Sequence, residues 1–348
     1  MKDSLPIISV IVLNYNGLPW LEKCLTSLRN QSFAEPFEII FADNLSTDGS
    51  DKSCAELLRN VSNGRFIQNG VNLGFCEGNN RAAKAAAGRY FLFLNNDAWL
   101  EPDCLERLLA GTERAGAAAA SPLILNYSDD SFQSIGAEGF DIFGLPSARL
   151  PKFESGRLLM PEGCAYFIRA DVFWAVGAFD PEFFMYADEY DLSWRVWLAG
   201  HSAARVPEAK VHHRGAASVY PAGGGTVVEN RTSDTKRYYA NRNALLILLK
   251  NCHDLLLVTV LLQLLLFALE IVASFVLVRR WSFVKRAYLE AVADCFRMHK
   301  HLRAERAKIA GFRKRSDWWM LRFLTWRMNR WDELKRVILF GPPKVAPK

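Results

Sequence analysis

Over the first hundred residues, short and strongly apolar runs alternate with stretches of helical spacing. "IISVIVLNY", "FEIIFAD", "RFIQN" and "RYFLFLNND" are β-rich runs, while "LPWLEKCLTSLRNQ", "DKSCAELLRN" and "NNRAAKAAAG" carry helical spacing or composition. Strand, helix, strand, helix predicts parallel strands joined by crossover helices. Each apolar run gives way to polar side chains: Asn14 and Asn16, Asp43 and Asn44, Asn72, then Asn95, Asn96 and Asp97. Such residues are common in turns. Parallel sheets, however, bind ligands beyond the carboxyl ends of their strands, where this whole set falls. A carboxylate ending a buried strand, as Asp97 does, is costly unless it is paired or holds a metal. The alternative for Asp97 is to cap a helix in "EPDCLERLL".

Farther along the pattern changes. From about 121 to 160 the chain is irregular, with Ser, Gly and Pro spread through it, which predicts loops and short strands over the site. A helical stretch "RADVFWAVGAFD" follows, and later a short strand around "SAARVPEAKVHHRG". Residues 255–278 form an apolar run of 24 residues interrupted only by Gln263 and Glu270, long enough to span a bilayer. Those two polar residues, seven apart, share a helical face that can rest on protein. A spanning helix, an in-plane helix and a buried core helix therefore compete.

At 348 residues, half of them hydrophobic, the chain can build one large α/β domain or two smaller ones. Seven cysteines without a CxxC pair argue against a disulfide framework and a zinc site, and predict reduced thiols in a cytosolic compartment. The early apolar run breaks at Asn14 and has no small-residue cleavage site, so no secretory signal is expected. The net charge of +6 is uneven: residues 279–348 hold 19 Lys and Arg against 6 Asp and Glu. With Trp281, Trp318, Trp319, Trp326 and Trp331, that basic tail suits a lipid headgroup layer. RNA is the less economical partner, given the adjacent apolar helix.

Several segments carry candidate chemistry. "ADNLSTDGS" places Asp43, Asn44, Ser46, Thr47 and Asp48 in a turn that either hydrogen-bonds a base or ribose or caps the next helix. "MYADEYDLSWR" packs Asp188, Glu189 and Asp191 into four positions; their repulsion favours a raised pKa and a general base, although a charged helix start gives the same letters. "KVHHRGAAS" offers His212 and His213 as structural residues or metal ligands. No G-x-x-x-x-G-K-[ST] occurs, and "GFCEGNN" lacks the dinucleotide spacing.

Taken in order, "SVIVLNYNG", "ADNLSTDGS", "NLGFCEGNN", "FLFLNNDAWL", "GAFDPEFFMYADEYDLSWR" and "VHHRGAAS" resemble the bacterial family 2 glycosyltransferases, especially the rhamnosyltransferase-like branch, over roughly residues 7–250. The resemblance implies an α/β GT-A fold within 1–250. Its nucleotide-sugar half would cover about 1–120 and its acceptor half about 121–250, followed by a helical membrane-associating region at 251–348. It implies an inverting transfer of rhamnose or another hexose from a nucleoside-diphosphate sugar to a lipid-linked or cell-surface glycan. Asn14, Asn16, Asp43, Asn44, Asn72, Gly74, Asn79, Asn95 and Asn96 would line the nucleotide-sugar pocket. Asp97 and His213 would hold a magnesium or manganese ion, and Glu189, or else Asp188, would be the base.

Two departures stand out. Asn95 occupies the first acidic position of the family's D-x-D-like element, and the usual Glu-Asp pair reads Asp188-Glu189. The expected place of work is the cytoplasmic face of a bacterial plasma membrane, in cell-surface polysaccharide assembly. The rivals are a catalytically inactive membrane-bound scaffold that still binds nucleotide sugars, and a sugar-phosphate nucleotidyltransferase, although the N-terminus lacks the glycine-rich basic loop of the latter.

Overall fold

A computed structural model describes residues 5–59, 61–147, 158–215 and 231–345. The first apolar run forms β1 (Ile8–Asn14), and α1 (Leu18–Arg29) carries the chain back to β2 (Phe37–Asp43). Then come α2 (Ser50–Leu58), β3 (Gly64–Gln68), α3 (Gly74–Lys84) and β4 (Tyr90–Asn95). These four strands run parallel, with Asn14 opposite Asp43 and Leu13 opposite Asn95. Every strand thus delivers its polar end to the same edge of the sheet.

After β4, residues Asn96 and Asp97 make a tight turn into β5 (Ala98–Leu100), followed by α4 (Cys104–Arg114) and β6 (Ala119–Asn126). Short strands β7 (Phe132–Ser134), β8 (Gly139–Phe140) and β9 (Pro146–Ser147) lead to β10 (Ala165–Arg169). Helices α5 (Ala170–Ala175) and α6 (Asp188–Leu198) precede β11 (Ala203–His213). The main sheet has the order β3-β2-β1-β4-β10-β6-β11-β5. Here β10 is antiparallel to both neighbours, so the sheet is mixed.

One expectation needs correcting. The irregular texture after residue 121 conceals a central strand, β6, whose Pro122 has no N–H for the ladder. Its partner β11 adapts: the register shifts between Val206, opposite Pro122, and Lys210, opposite Leu123. The long strand β11 absorbs the proline as a bulge and continues to His213.

The sheet has a core on each face. One face packs Val10, Val12, Leu92 and Leu94 against Leu21, Leu25, Leu105 and Leu108 of α1 and α4. The other packs Phe91, Phe93 and Tyr166 against Phe173, Phe179 and Trp194, and runs on into α7 (Asp234–Asn251) and α8 (Val258–Leu277).

The remaining helices are α9 (Trp281–Val284), continued by a π-turn, then α10 (Ala291–Arg297), α11 (His299–Phe312), α12 (Asp317–Met320) and α13 (Arg330–Phe340). A buried ionic network ties α11 and α7 to α6: Lys250 Nζ lies 2.6 Å from Asp180 and 3.0 Å from Asp191, Arg195 pairs with Asp191 at 2.7 Å, and His301 reaches Asp180 at 3.0 Å. Two buried carboxylates sharing three cationic groups satisfy the rule that interior charges be paired. All seven cysteines are buried single thiols.

Candidate active site

The floor of the site is an amide and hydroxyl lattice built on the ends of β1 and β2. Asn14 is fully buried, and its Nδ2 lies 2.8 Å from Asp43 Oδ1 and Ser50 Oγ, with Ser46 Oγ at 3.1 Å. Its Oδ1 accepts from Asn96 Nδ2 at 2.7 Å, which links the β1 end to the β4 turn. This approach requires glycine next door, since a Cβ on Gly17 would fall 2.0 Å from Asn96 Nδ2. Asp43 is also fully buried and accepts from Asn14, the Ser46 hydroxyl and N–H, and Gln68. Asp48 accepts from Leu18 N and Ser50 N, joining the first turns of α1 and α2. Asn16, at the exposed rim with φ 53°, accepts from Thr47 N through Oδ1 at 2.8 Å.

A second amide chain closes the side of the site. Asn69 donates to Asn44 Oδ1 at 2.8 Å, and Asn44 donates to Gly74 O at 2.9 Å. Asn72 Oδ1 accepts from Gly74 N, turning the chain into α3. Gly74 has φ +73° and a Cβ there would meet Phe184 at 2.5 Å, so both conformation and space call for glycine. Phe75 N then donates to Phe184 O at 2.6 Å, joining the helix start to the loop before α6. Asn79 lies farther along α3. Its buried amide donates to Phe75 O one turn back, so it packs inside its own helix.

At the tip of β4 the chain assembles an acid and an imidazole from distant segments. β5 pairs antiparallel with β11, setting His213 opposite Ala98, and Arg214 N donates to Asp97 O. This brings His213 Nε2 to 3.3 Å from Asp97 Oδ1, while Asn95 Nδ2 stands 3.4 Å from the same nitrogen. His213 Nδ1 lies 3.0 Å from Gln133 Oε1, and Gln133 Nε2 donates to Asn126 Oδ1 at 3.1 Å, which fixes the Gln133 carbonyl toward the ring. An acceptor thus faces each ring nitrogen, and the Asn95 amide N–H also faces Nε2. Burial works against charge on His213, but Cys164 and Asp97 beside it prevail and hold its pKa well above the usual value.

With Nδ1–H donating to Gln133, Nε2 is the nitrogen free to share a cation with Asp97. Two ligands of one hard cation, each at about 2.1 Å and at right angles, sit about 3 Å apart, so the pair fits such an ion. Among the described residues no group of three His, Cys, Asp or Glu side chains gathers in a way that could hold a metal, so the protein offers this pair alone. His212 points elsewhere: it stacks on Trp99 at 3.6 Å and reaches Glu101 at 2.9 Å. Residues 216–218 of the histidine motif lie outside the described residues.

The acid segment is held under strain. Phe184, Tyr186 and Ala187 all have left-handed φ, between 59° and 67°, immediately before α6. The fully buried Asn243 of α7 stabilises this path, its Nδ2 lying within 2.9 Å of the carbonyls of Phe183, Met185 and Tyr186. The loop delivers Asp188 and Glu189 to the first turn of α6. Burial, then Asp191 nearby, pushes Asp188 up to about 7. Burial, then Asp188, holds Glu189 well above the ordinary glutamate value. The Glu189 carboxyl lies against Gly163 and accepts no side-chain hydrogen bond among the described residues. Asp191, one turn on, is consumed by Arg195, Lys250 and Asn251. Of the three acids, Asp191 is the one that braces the core.

Sequence reasoning missed Gln133, Asn243 and Asn80, whose amide bridges α3 to both backbone groups of Phe179. Their only sequence signal is an amide in an otherwise apolar or turn-like setting.

A curated relative, the N-acetylglucosaminyl-diphospho-decaprenol L-rhamnosyltransferase of Mycobacterium tuberculosis, is 29% identical, with 62% of this chain and 77% of that protein covered. Among solved structures, Staphylococcus aureus TarS 1-349 in complex with UDP-GlcNAc superposes with a TM-score of 0.55 at 18% identity, covering 88% of each chain. Mannosyltransferase PcManGT from Pyrobaculum calidifontis, in complex with GDP-Man and Mn2+, superposes with a TM-score of 0.52 at 14% identity, covering 89% of this chain and 86% of that one. At such identities the superpositions speak for the fold alone, which is GT-A. Residues 9–177 match the family described as Glycosyl transferase family 2, and the chain carries a family 2 glycosyltransferase domain.

Proposed function

We propose that this glycosyltransferase moves a hexose, rhamnose foremost, from a nucleoside-diphosphate sugar to a lipid-linked glycan during cell-surface polysaccharide assembly, with inversion at the anomeric carbon. The observation that carries the reading is the convergence of Asp97 and His213 at the tip of β4, on the sheet edge where the other polar strand ends collect. The lattice of Asn14, Asn16, Asp43, Asn44, Asn72 and Gly74 shapes the pocket for the nucleotide, with Asn95 and Asn96 toward the diphosphate. The decaprenol-linked substrate named for the mycobacterial relative supports the lipid-linked acceptor. The place of work is the cytoplasmic face of the plasma membrane.

Asp97 Oδ1 and His213 Nε2 are the atoms that would hold a magnesium or manganese ion. When bound, that cation offsets negative charge growing on the departing diphosphate. Gln133 holds the His213 ring in one orientation, with Nδ1–H donating and Nε2 turned inward. Glu189 takes the proton of an acceptor hydroxyl as that oxygen bonds to the anomeric carbon. The bond from that carbon to the diphosphate oxygen breaks with its electron pair, and the nucleoside diphosphate leaves. Asp188 keeps Glu189 basic, because two adjacent buried carboxyls do not ionise together readily.

A panel of dTDP-, UDP- and GDP-sugars, with and without manganese and with membrane extract as acceptor source, tests this through nucleoside diphosphate release. Metal-dependent release from one donor is the expected result. Silence with every donor would favour the inactive-scaffold reading.

A further inference from the structure

We propose that α8 lies in the plane of an anionic bilayer as a monotopic anchor, resting one face on the protein and sinking the other among the lipids. This deepens the proposed function, because it names the partner surface at which a lipid-linked acceptor is met. By length and composition, Leu255–Leu277 is apolar enough to cross a membrane. The contacts of the helix point to a different placement.

Val258, Leu261, Leu265, Leu269, Val272 and Val276 are each more than half exposed. At about 100° per residue they fall within a sector of about 80°. Thr259, Gln263 and Phe267 are buried against the body, Glu270 pairs with Arg330 of α13 at 2.7 Å, and the Ser274 hydroxyl lies 3.3 Å from that of Tyr288. These five fill a similar sector on the opposite side of the helix. A helix committed lengthwise to a water-soluble body along one stripe cannot also be surrounded by acyl chains, whereas a helix at the interface satisfies both faces.

The charge beside the helix selects the lipid. Arg279 is exposed just beyond its end, Trp281 follows at 56% exposure, and Lys285 and Arg286 are exposed on the next turns. The 13-charge excess of Lys and Arg over Asp and Glu in residues 279–348 complements acidic headgroups. α13 adds Trp331, Leu334 and Ile338, all exposed and within about 60° of one another around that helix.

The test uses the full chain and vesicles of phosphatidylcholine with or without about one-third phosphatidylglycerol. Flotation with the anionic vesicles, weakened by salt, and release from host membranes by alkaline carbonate are the expected results. The double substitution Leu265→Lys with Leu269→Lys should lower vesicle partition more than about a hundredfold, since each leucine forfeits the transfer energy of a buried side chain. It should leave metal-dependent nucleoside diphosphate release in solution unchanged.

Retention through alkaline carbonate would overturn the in-plane placement in favour of a span. A dimer in solution that this pair of substitutions dissociates, with no vesicle binding by the native chain, would assign the face to a second copy instead. Loss of donor turnover in the native chain, with vesicle binding intact, would count against the enzymatic reading and leave the anchor standing.

Discussion

His213 Nε2 stands 3.3 Å from Asp97 Oδ1, although 116 positions separate the two residues in the chain. Antiparallel pairing of β5 with the end of β11 brings them together, and Gln133 buttresses the imidazole from behind. If that buttress fixes the ring, Gln133→Leu should raise the manganese concentration needed for half-maximal turnover by about tenfold, in the range seen when outer-shell partners are removed. Maximal turnover at saturating manganese should recover most of its native value. A purely structural role would lower turnover without moving the metal requirement.

The acid pair predicts a kinetic split. Glu189→Gln should lower kcat by about 10²–10⁴-fold, the usual contribution of a general base, with the donor KM within about twofold of native. The native kcat/KM should rise with pH as the pair gives up a proton, following the upward shift of Asp188 to about 7 and of Glu189 well above the ordinary glutamate value. A flat profile between pH 6 and 8 would exclude the pair as the titrating base.

Asp188 also links pH to stability. Its folded-state pKa is raised from 3.8 to about 7, so between those values the native state binds the proton that the unfolded chain releases. Stability should therefore fall as pH rises through that window. Asp188→Asn removes the buried charge and should raise Tm by a few degrees at pH 8 while lowering turnover, an exchange typical of strained active sites. Thermal melts at pH 5 and pH 8 read this directly, since the gain should shrink at the lower pH.

The ionic network beneath α6 is a stability feature. Lys250→Met would leave Asp180 and Asp191 facing one another with less cationic partnership. A loss of about 3–5 kcal/mol is expected from breaking a buried pair on one side. Urea unfolding measures it; a change under about 1 kcal/mol would mean that Arg195 and His301 suffice.

Asn243 offers a test of the loop path. Asn243→Leu leaves the carbonyls of Phe183, Met185 and Tyr186 without their shared donor, next to three left-handed residues. Turnover should fall by more than about tenfold while nucleotide binding persists, because the strained loop loses its brace. Calorimetric titration of a nucleoside diphosphate separates this from general unfolding.

Much of this was legible in the sequence for a simple reason. Apolar runs ending in Asn14, Asp43 and Asn95 obey a period and a punctuation that parallel strands impose locally. The strand β6 was not legible, because Pro122 contradicts a central strand and only the bulge in β11, some eighty residues on, makes room for it. Asp188 and Asp191 read alike in a string of acids. They part company only when the helix turns Asp191 toward Arg195 and Lys250. His213 gained meaning over His212 only through resemblance, since two adjacent residues on a strand point to opposite faces and spacing cannot say which face holds Asp97. Gln133 and Asn243 act on partners brought near by folding, and no local pattern announces that.

The most direct test is calorimetric binding of a nucleoside diphosphate at increasing manganese, in the native protein and in Asp97→Ala and His213→Ala. Manganese should tighten binding in the native protein, and either substitution should abolish most of that gain while leaving the weak metal-free binding in place. Equal manganese enhancement in all three proteins would contradict a cation held between Asp97 and His213.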